Sequence, residues 1–141
     1  MKNYKHIIVA LDNTINEALQ VAETAKLVAE CAGGATLSLL HVIDVLGSYE
    51  ATQPSFQDYL TEHAEKVLAE VESKLQLKVK KRQVLMGSVR TTLFNQVEAE
   101  GADLIIMGTH GRHGASAMIA GSTAVSVLHG TPCDVLAVRV R

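Results

Sequence analysis

Two stretches of this chain, Ile7-Ile8-Val9-Ala10-Leu11 and Leu104-Ile105-Ile106-Met107, run apolar without a single polar residue. Both are short for a helix, and neither alternates as a strand with one wet face would. Runs of this length, bounded by polar or turn-forming residues, fit strands covered on both faces, the situation of central strands in a parallel sheet. Parallel strands cannot be joined by hairpins; each pair needs a crossover, usually a helix. No other feature constrains the rest of the chain as strongly.

The intervening segments supply those crossovers. Asp12-Asn13-Thr14 stops the first run, and Ile15, Ala18, Leu19, Ala22, Ala25, Ala29 and Ala32 then recur at helical spacing up to Gly33-Gly34. Ala35 to Ile43 reads as a second buried strand ending at Asp44, followed by a polar loop from Gly47 to Pro54. A helix from about Phe56 carries Leu60, Ala64, Val67, Leu68, Val71 and Leu75 on one face. Lys78 to Met86 reads as a third strand. Its basic run (Lys78, Lys80, Lys81, Arg82) suggests a solvated entrance near a sheet edge. Gly87-Ser88 turns into a short helix with Val89, Leu93, Phe94 and Val97, closed by Gly101. Beyond Met107 comes a glycine-rich segment. Ala120, Ala124, Val127 and Leu128 then give a fourth helix, ended by Gly130-Thr131-Pro132, and Val135 to Val140 form a last strand. This alternation predicts an α/β fold: one open parallel sheet with helices on both faces, in one domain over residues 1–141.

Composition removes several function classes. A formal charge of −2 gives no basic field, and 4% aromatics without tryptophan leave little for base-stacking platforms, so no nucleic-acid partner is expected. No stretch approaches the ~18 apolar residues of a membrane span, and the first apolar run is short for a signal peptide; a cytoplasmic location without membrane contact is expected. Cys31 and Cys133 stand alone, outside any CxxC spacing, and read as small core hydrophobes. His41, ending an apolar strand, reads as a satisfied, semi-buried histidine. His110 and His113 lack a convincing third ligand for zinc.

Ligands of open α/β sheets bind beyond the carboxyl ends of the strands, where strand order reverses. The positions to weigh are therefore Asp12, Val42 to Asp44, Gly87-Ser88 and everything after Met107. Gly108-Thr109-His110-Gly111-Arg112-His113-Gly114 leaves the fourth strand, and Gly121-Ser122-Thr123 opens the next helix. Glycines let backbone approach an anion, Ser122 and Thr123 add hydroxyl donors, and Arg112 and His113 add cationic ones. A Walker loop would need Gly-Lys followed by Ser or Thr, and a dinucleotide fingerprint would need its glycines after the first strand; neither is present. Ser122 lacks the G-x-S-x-G context of a nucleophile. Asp12 also suits a cap on the first helix, a role compatible with ligand contact.

The spacing Gly108, Gly111, Gly121-Ser122 is G-x2-G-x9-G-[S/T]. It resembles the signature of the ATP-binding branch of the universal stress protein family. The resemblance extends to the first strand ending in Asp12, to Leu40-His41-Val42-Ile43-Asp44, to Met107-Gly108-Thr109-His110-Gly111, and to Thr131-Pro132-Cys133-Asp134-Val135-Leu136-Ala137-Val138. It implies a five-stranded sheet in the order 3-2-1-4-5, of adenine-nucleotide-hydrolase or Rossmann-like type, with Asp12 and Gly108 meeting at the switch point. It further implies ATP as ligand, with Mg²⁺ that Asp12 could contact. Asp12 and the backbone at Val42 would hold the adenine end and Gly108 the ribose, while Gly111, Gly121, Ser122 and Thr123 would surround the phosphates. Ala10, Leu11, Met107 and Thr109 complete the expected lining; some nucleotide-binding members carry proline and a small hydroxyl residue where this chain has Ala10 and Leu11. The implied function is an ATP-binding stress-response regulator with no catalytic residue and little or no turnover, dimeric through Val135 to Val140 and open to a further protein partner. A slow ATPase or nucleotidyl-transferring relative is the alternative.

Overall fold

The computed structural model of the chain describes residues 3–45, 49–109 and 123–141. Strand β1 (His6–Ala10) leads through helix α1 (Ile15–Cys31) to β2 (Thr36–Ile43). A single 3-10 turn (Glu50–Thr52) precedes α2 (Pro54–Leu75), which returns to β3 (Val79–Met86); α3 (Val89–Glu100) then leads to β4 (Leu104–Gly108). A helical segment over 123–128 precedes β5 (Asp134–Val138). All neighbouring strands are parallel, in the order β3-β2-β1-β4-β5. The chain therefore builds outward from β1 in one direction and then in the other, and β1 and β4 flank the reversal.

The two continuous apolar runs are indeed the central strands. Ile7, Ile8 and Val9 are fully buried, as are Ile105 and Ile106. Their side chains alternate between two cores. Ile7, Val9, Leu104 and Ile106 join Leu37 and Leu39 under α1 and α2, while Ile8, Ile105 and Met107 join Leu40 under α3 and the 123–128 segment. Burying each such Ile or Leu is worth roughly 1.5–3 kcal/mol, so these strands anchor both layers. The alanine stripe of α1 (Ala18, Ala22, Ala25, Ala29) is buried against the sheet.

The helix ends follow local chemistry. Gly101 closes α3 in the left-handed region at φ 67°, and Ser88 Oγ caps its start by accepting from the Thr91 amide at 3.3 Å. Arg90 ties α3 to the next helical segment, donating to the Ser126 and His129 carbonyls at 3.0 and 2.9 Å. A guanidinium suits the negative end of that helix.

Three sequence expectations about the fold need correction. Cys31 is exposed at the end of α1, while Cys133 is half-buried, where burial pushes its thiol pKa up. Leu128 is 51% exposed, outside the core face of its helix. The basic run at β3 is exposed at Lys78, Lys80 and Arg82, as expected of a solvated entrance, and it also makes ion pairs. Lys81 reaches the buried Glu100 at 3.4 Å, and Arg82 pairs with Glu72 at 2.6 Å. Finally, β5 ends at Val138 rather than Val140: the tail turns onto α1, where Arg141 and Gln20 exchange two hydrogen bonds of 2.9 Å.

Candidate functional site

The β1/β4 reversal brings the end of β1 beside the end of β4, with Ala10 paired to both Leu40 and Met107. Asp12 leaves β1 half-buried. It does not cap α1: the cap position is Thr14, which makes no side-chain capping bond, and Asp12 Oδ1 instead accepts from the Asn13 amide at 2.7 Å. Oδ2 makes no hydrogen bond among the described residues and is available to a ligand hydroxyl or cation. Leu11 is 4% exposed, and both its backbone groups are engaged: its amide donates to Leu40 O at 2.8 Å, and its carbonyl accepts from His41 Nδ1 at 2.7 Å. Leu11 and the 6%-exposed Met107 belong to the two cores on opposite faces of the sheet.

Strand alternation determines what Val42 offers. In a parallel strand the N–H and C=O of one residue point to the same neighbour, and those of the next residue to the other. Leu40 O serves Leu11 on the β1 side, and Ile43 O accepts from Gly87 on the β3 side. Val42 therefore turns both its amide and its carbonyl toward β1, beyond Ala10, the last β1 residue paired with β2. Neither group is bonded across that gap among the described residues. A donor and an acceptor thus stand side by side at the reversal, with Val42 half-buried.

Around them, burial pushes the His41 pKa below its ordinary value, and nearby His63 acts in the same sense; the Leu11 carbonyl and the Asp12 carboxylate oppose it. His63, from α2, donates to Asn13 O at 3.0 Å and stacks on Tyr59.

On the β4 side, Gly108 pairs with Val138, and the Thr109 amide donates to Val138 O at 2.8 Å. A Cβ on Gly108 would lie 2.9 Å from Val140 Cγ2 and 3.4 Å from Val21 Cγ2. Packing of the C-terminal tail is thus one reason for this glycine, independent of any ligand. Thr123 heads the 123–128 segment. Gly111, Arg112, His113, Gly121 and Ser122 lie outside the described residues, as does His110. Among the described residues no cluster of three or more His, Cys, Asp or Glu could hold a metal ion, and no helix is long and apolar enough to cross a membrane.

Sequence reasoning missed a second polar centre, at the opposite end of the strands. His6 Nε2 donates to Glu100 Oε1 at 2.8 Å, the Ser38 hydroxyl donates to the same oxygen at 2.8 Å, and Lys81 lies 3.4 Å from Oε2. Burial opposes the charge on Glu100, but these three partners outweigh it and hold its pKa below the ordinary value. An open cleft of about 480 Å³ lies at this end too, lined by Tyr4, Asp103, Cys133 and Asp134 among others. Its carboxylates make it a poor seat for phosphates.

Comparison with known proteins agrees with this architecture. The model of the universal stress protein family matches residues 3–139. Universal stress protein A homolog 2 of Coxiella burnetii is 38% identical over 146 aligned positions, covering 100% of this chain and 99% of that protein. Among solved structures, the hypothetical protein MJ0577, subject of a structure-based assignment of biochemical function, superimposes with a TM-score of 0.75 at 28% identity, covering 99% of both chains. A universal stress protein in complex with cAMP has the same fold, with a TM-score of 0.64 at 17% identity and 98% of each chain covered. With a family match across nearly its whole length and a relative of this identity, the chain belongs to the universal stress protein family.

Proposed function

We propose that this chain is an ATP-binding regulatory protein whose output is nucleotide occupancy, with the base held at the β1/β4 reversal and the phosphates along the glycine-rich segment. The observation that carries the reading is the open amide and carbonyl of Val42. The Watson–Crick edge of adenine presents an acceptor, N1, beside a donor, the N6 amine, and a neighbouring N–H and C=O complement that pair. Asp12 stands next to this edge with one oxygen unbonded among the described residues, suited to a ribose hydroxyl or to Mg²⁺ accompanying the phosphates. The G-x2-G-x9-G-[S/T] spacing begins at Gly108, at the end of β4, and supports phosphates beyond it through Gly111, Gly121, Ser122 and Thr123, assisted by Arg112 and His113. The cAMP complex of a distant relative supports an adenine nucleotide as a ligand of this fold.

Occupancy rather than turnover is proposed because Gly108 to Thr123 contains no Asp or Glu to orient an attacking water. A homodimer through the exposed edge of β5 is part of the same proposal: Leu136 and Ala137 are exposed there, and an unpaired edge favours pairing with a twofold mate. The direct test is calorimetric titration with Mg-ATP of wild type and Gly121→Val, which puts a branched side chain where backbone is proposed to meet phosphate. Loss of a few convergent donors should weaken binding ~5- to 150-fold. Equal affinity of two folded proteins contradicts the phosphate assignment.

A further inference from the structure

The contact between His41 and Leu11 has a consequence for the base edge. With Leu11 N–H bonded to Leu40 O, the next rung of the parallel β1–β2 ladder would run from Val42 N–H to Leu11 O. That rung is not formed among the described residues. Leu11 O accepts instead from His41 Nδ1 at 2.7 Å. Because a carbonyl only accepts, a ring proton must sit on Nδ1, and burial pushes the His41 pKa down, which favours the neutral imidazole. A side chain thus closes the ladder where the backbone of the following residue would otherwise do so.

We infer that His41 is a positioning residue for base selection: by drawing the Leu11 carbonyl to its own Nδ1–H and off the β1–β2 ladder, it keeps the Val42 amide open as the donor that adenine N1 requires. The inference rests on the proposed nucleotide site and names the residue that prepares it. If His41 served stability alone, its removal would weaken the fold and lower all nucleotide affinities in proportion. A positioning role predicts a change in which base is preferred. Inosine triphosphate is the discriminating probe, because its N1–H and O6 reverse the donor and acceptor that adenine presents, while ribose and phosphates are unchanged.

The experiment measures ATP and ITP affinities of wild type, His41→Leu and His41→Asn, with amide exchange at Val42 followed by NMR without nucleotide. Two hydrogen bonds of ordinary strength give wild type about a 10-fold preference for ATP over ITP, or somewhat more. His41→Leu removes the donor, allows Val42 N–H to bond Leu11 O, and should bring the preference close to unity while protecting the Val42 amide. His41→Asn, whose side-chain amide can reach the same carbonyl, should retain most of the preference. A folded His41→Leu protein that keeps the full preference overturns the inference. So does a Val42 amide already protected in the nucleotide-free wild type, a reading that needs no variant to fold. Wild type that binds ATP and ITP equally rejects base reading by Val42; wild type that binds neither rejects the nucleotide function itself. Each of these two results defeats the proposed site and the inference together, unlike the variant results, which defeat the inference alone.

Discussion

Adding one methyl group at Gly108 separates packing from ligand contact as the reason for that glycine. Its backbone lies outside the left-handed region, so alanine is conformationally allowed there. The new Cβ would stand 2.9 Å from Val140 Cγ2, closer than real contacts permit, and 3.4 Å from Val21 Cγ2. Val21 is 3% exposed on α1 and has little room to move. Val140 sits in the tail beyond β5, held by the Gln20–Arg141 pair, and must give way. Overpacking of this kind costs about 1–3 kcal/mol, offset by about 0.5–1 kcal/mol for replacing glycine within a strand. Gly108→Ala should therefore destabilise by about 1 kcal/mol, lowering Tm by about 2–4 °C at this chain length. In a Val140→Ala background the obstructing methyls are gone, and the same substitution should become neutral or stabilising by about 0.5 kcal/mol. Urea denaturation of all four proteins measures the coupling, expected at about 1.5 kcal/mol. Equal destabilisation in both backgrounds would refute the claim that Val140 demands the glycine. ATP affinity in the doubly substituted protein then reports ligand contact at Gly108 free of packing strain.

Two further predictions use the same geometry. Glu100 has a depressed pKa, so its contribution is present above the ordinary carboxylate range and is lost as pH falls through that range to the folded value; Glu100→Gln should cost about 1–3 kcal/mol at neutral pH and flatten the stability profile measured between about pH 5 and pH 3. At the β5 edge, Val138 O faces β4, so by alternation Ala137 turns its N–H outward. Ala137→Pro should consequently dissociate the proposed dimer in light scattering while sparing the sheet, and a fully dimeric Ala137→Pro protein rejects this edge as the interface.

The fold was legible because its constraints are local. Unbroken apolar runs marked β1 and β4, alanine periodicity marked α1, and the basic entrance of β3 correctly placed it at an edge. Strand order came from family resemblance, since periodicity within a segment carries no information about neighbours. Elements ended wrongly where tertiary contact decides: Val140 continues the apolar pattern of β5 but leaves the sheet because Gln20 captures the chain end. The buried polar centre was invisible for the same reason, because His6, Ser38, Lys81 and Glu100 meet only once three strands and α3 are assembled. His41 was readable as a satisfied histidine, but its partner depended on where β1 leaves the sheet. At Asp12 the position at the strand end was readable from sequence; the hydrogen bond to Asn13, which replaces capping, was not.

The central claim, an adenine nucleotide seated at the carboxyl ends of β1, β2 and β4, is tested most directly by amide NMR during titration with Mg-ATP. The expected result is saturable shifts at Asp12, Val42, Gly108 and Thr123, with the Val42 amide among the largest, and an unchanged set at Tyr4, Asp103 and Asp134 in the acidic cleft at the opposite end of the strands. Saturable shifts confined to that cleft, or none at Val42 and Asp12 at saturating nucleotide, contradict it.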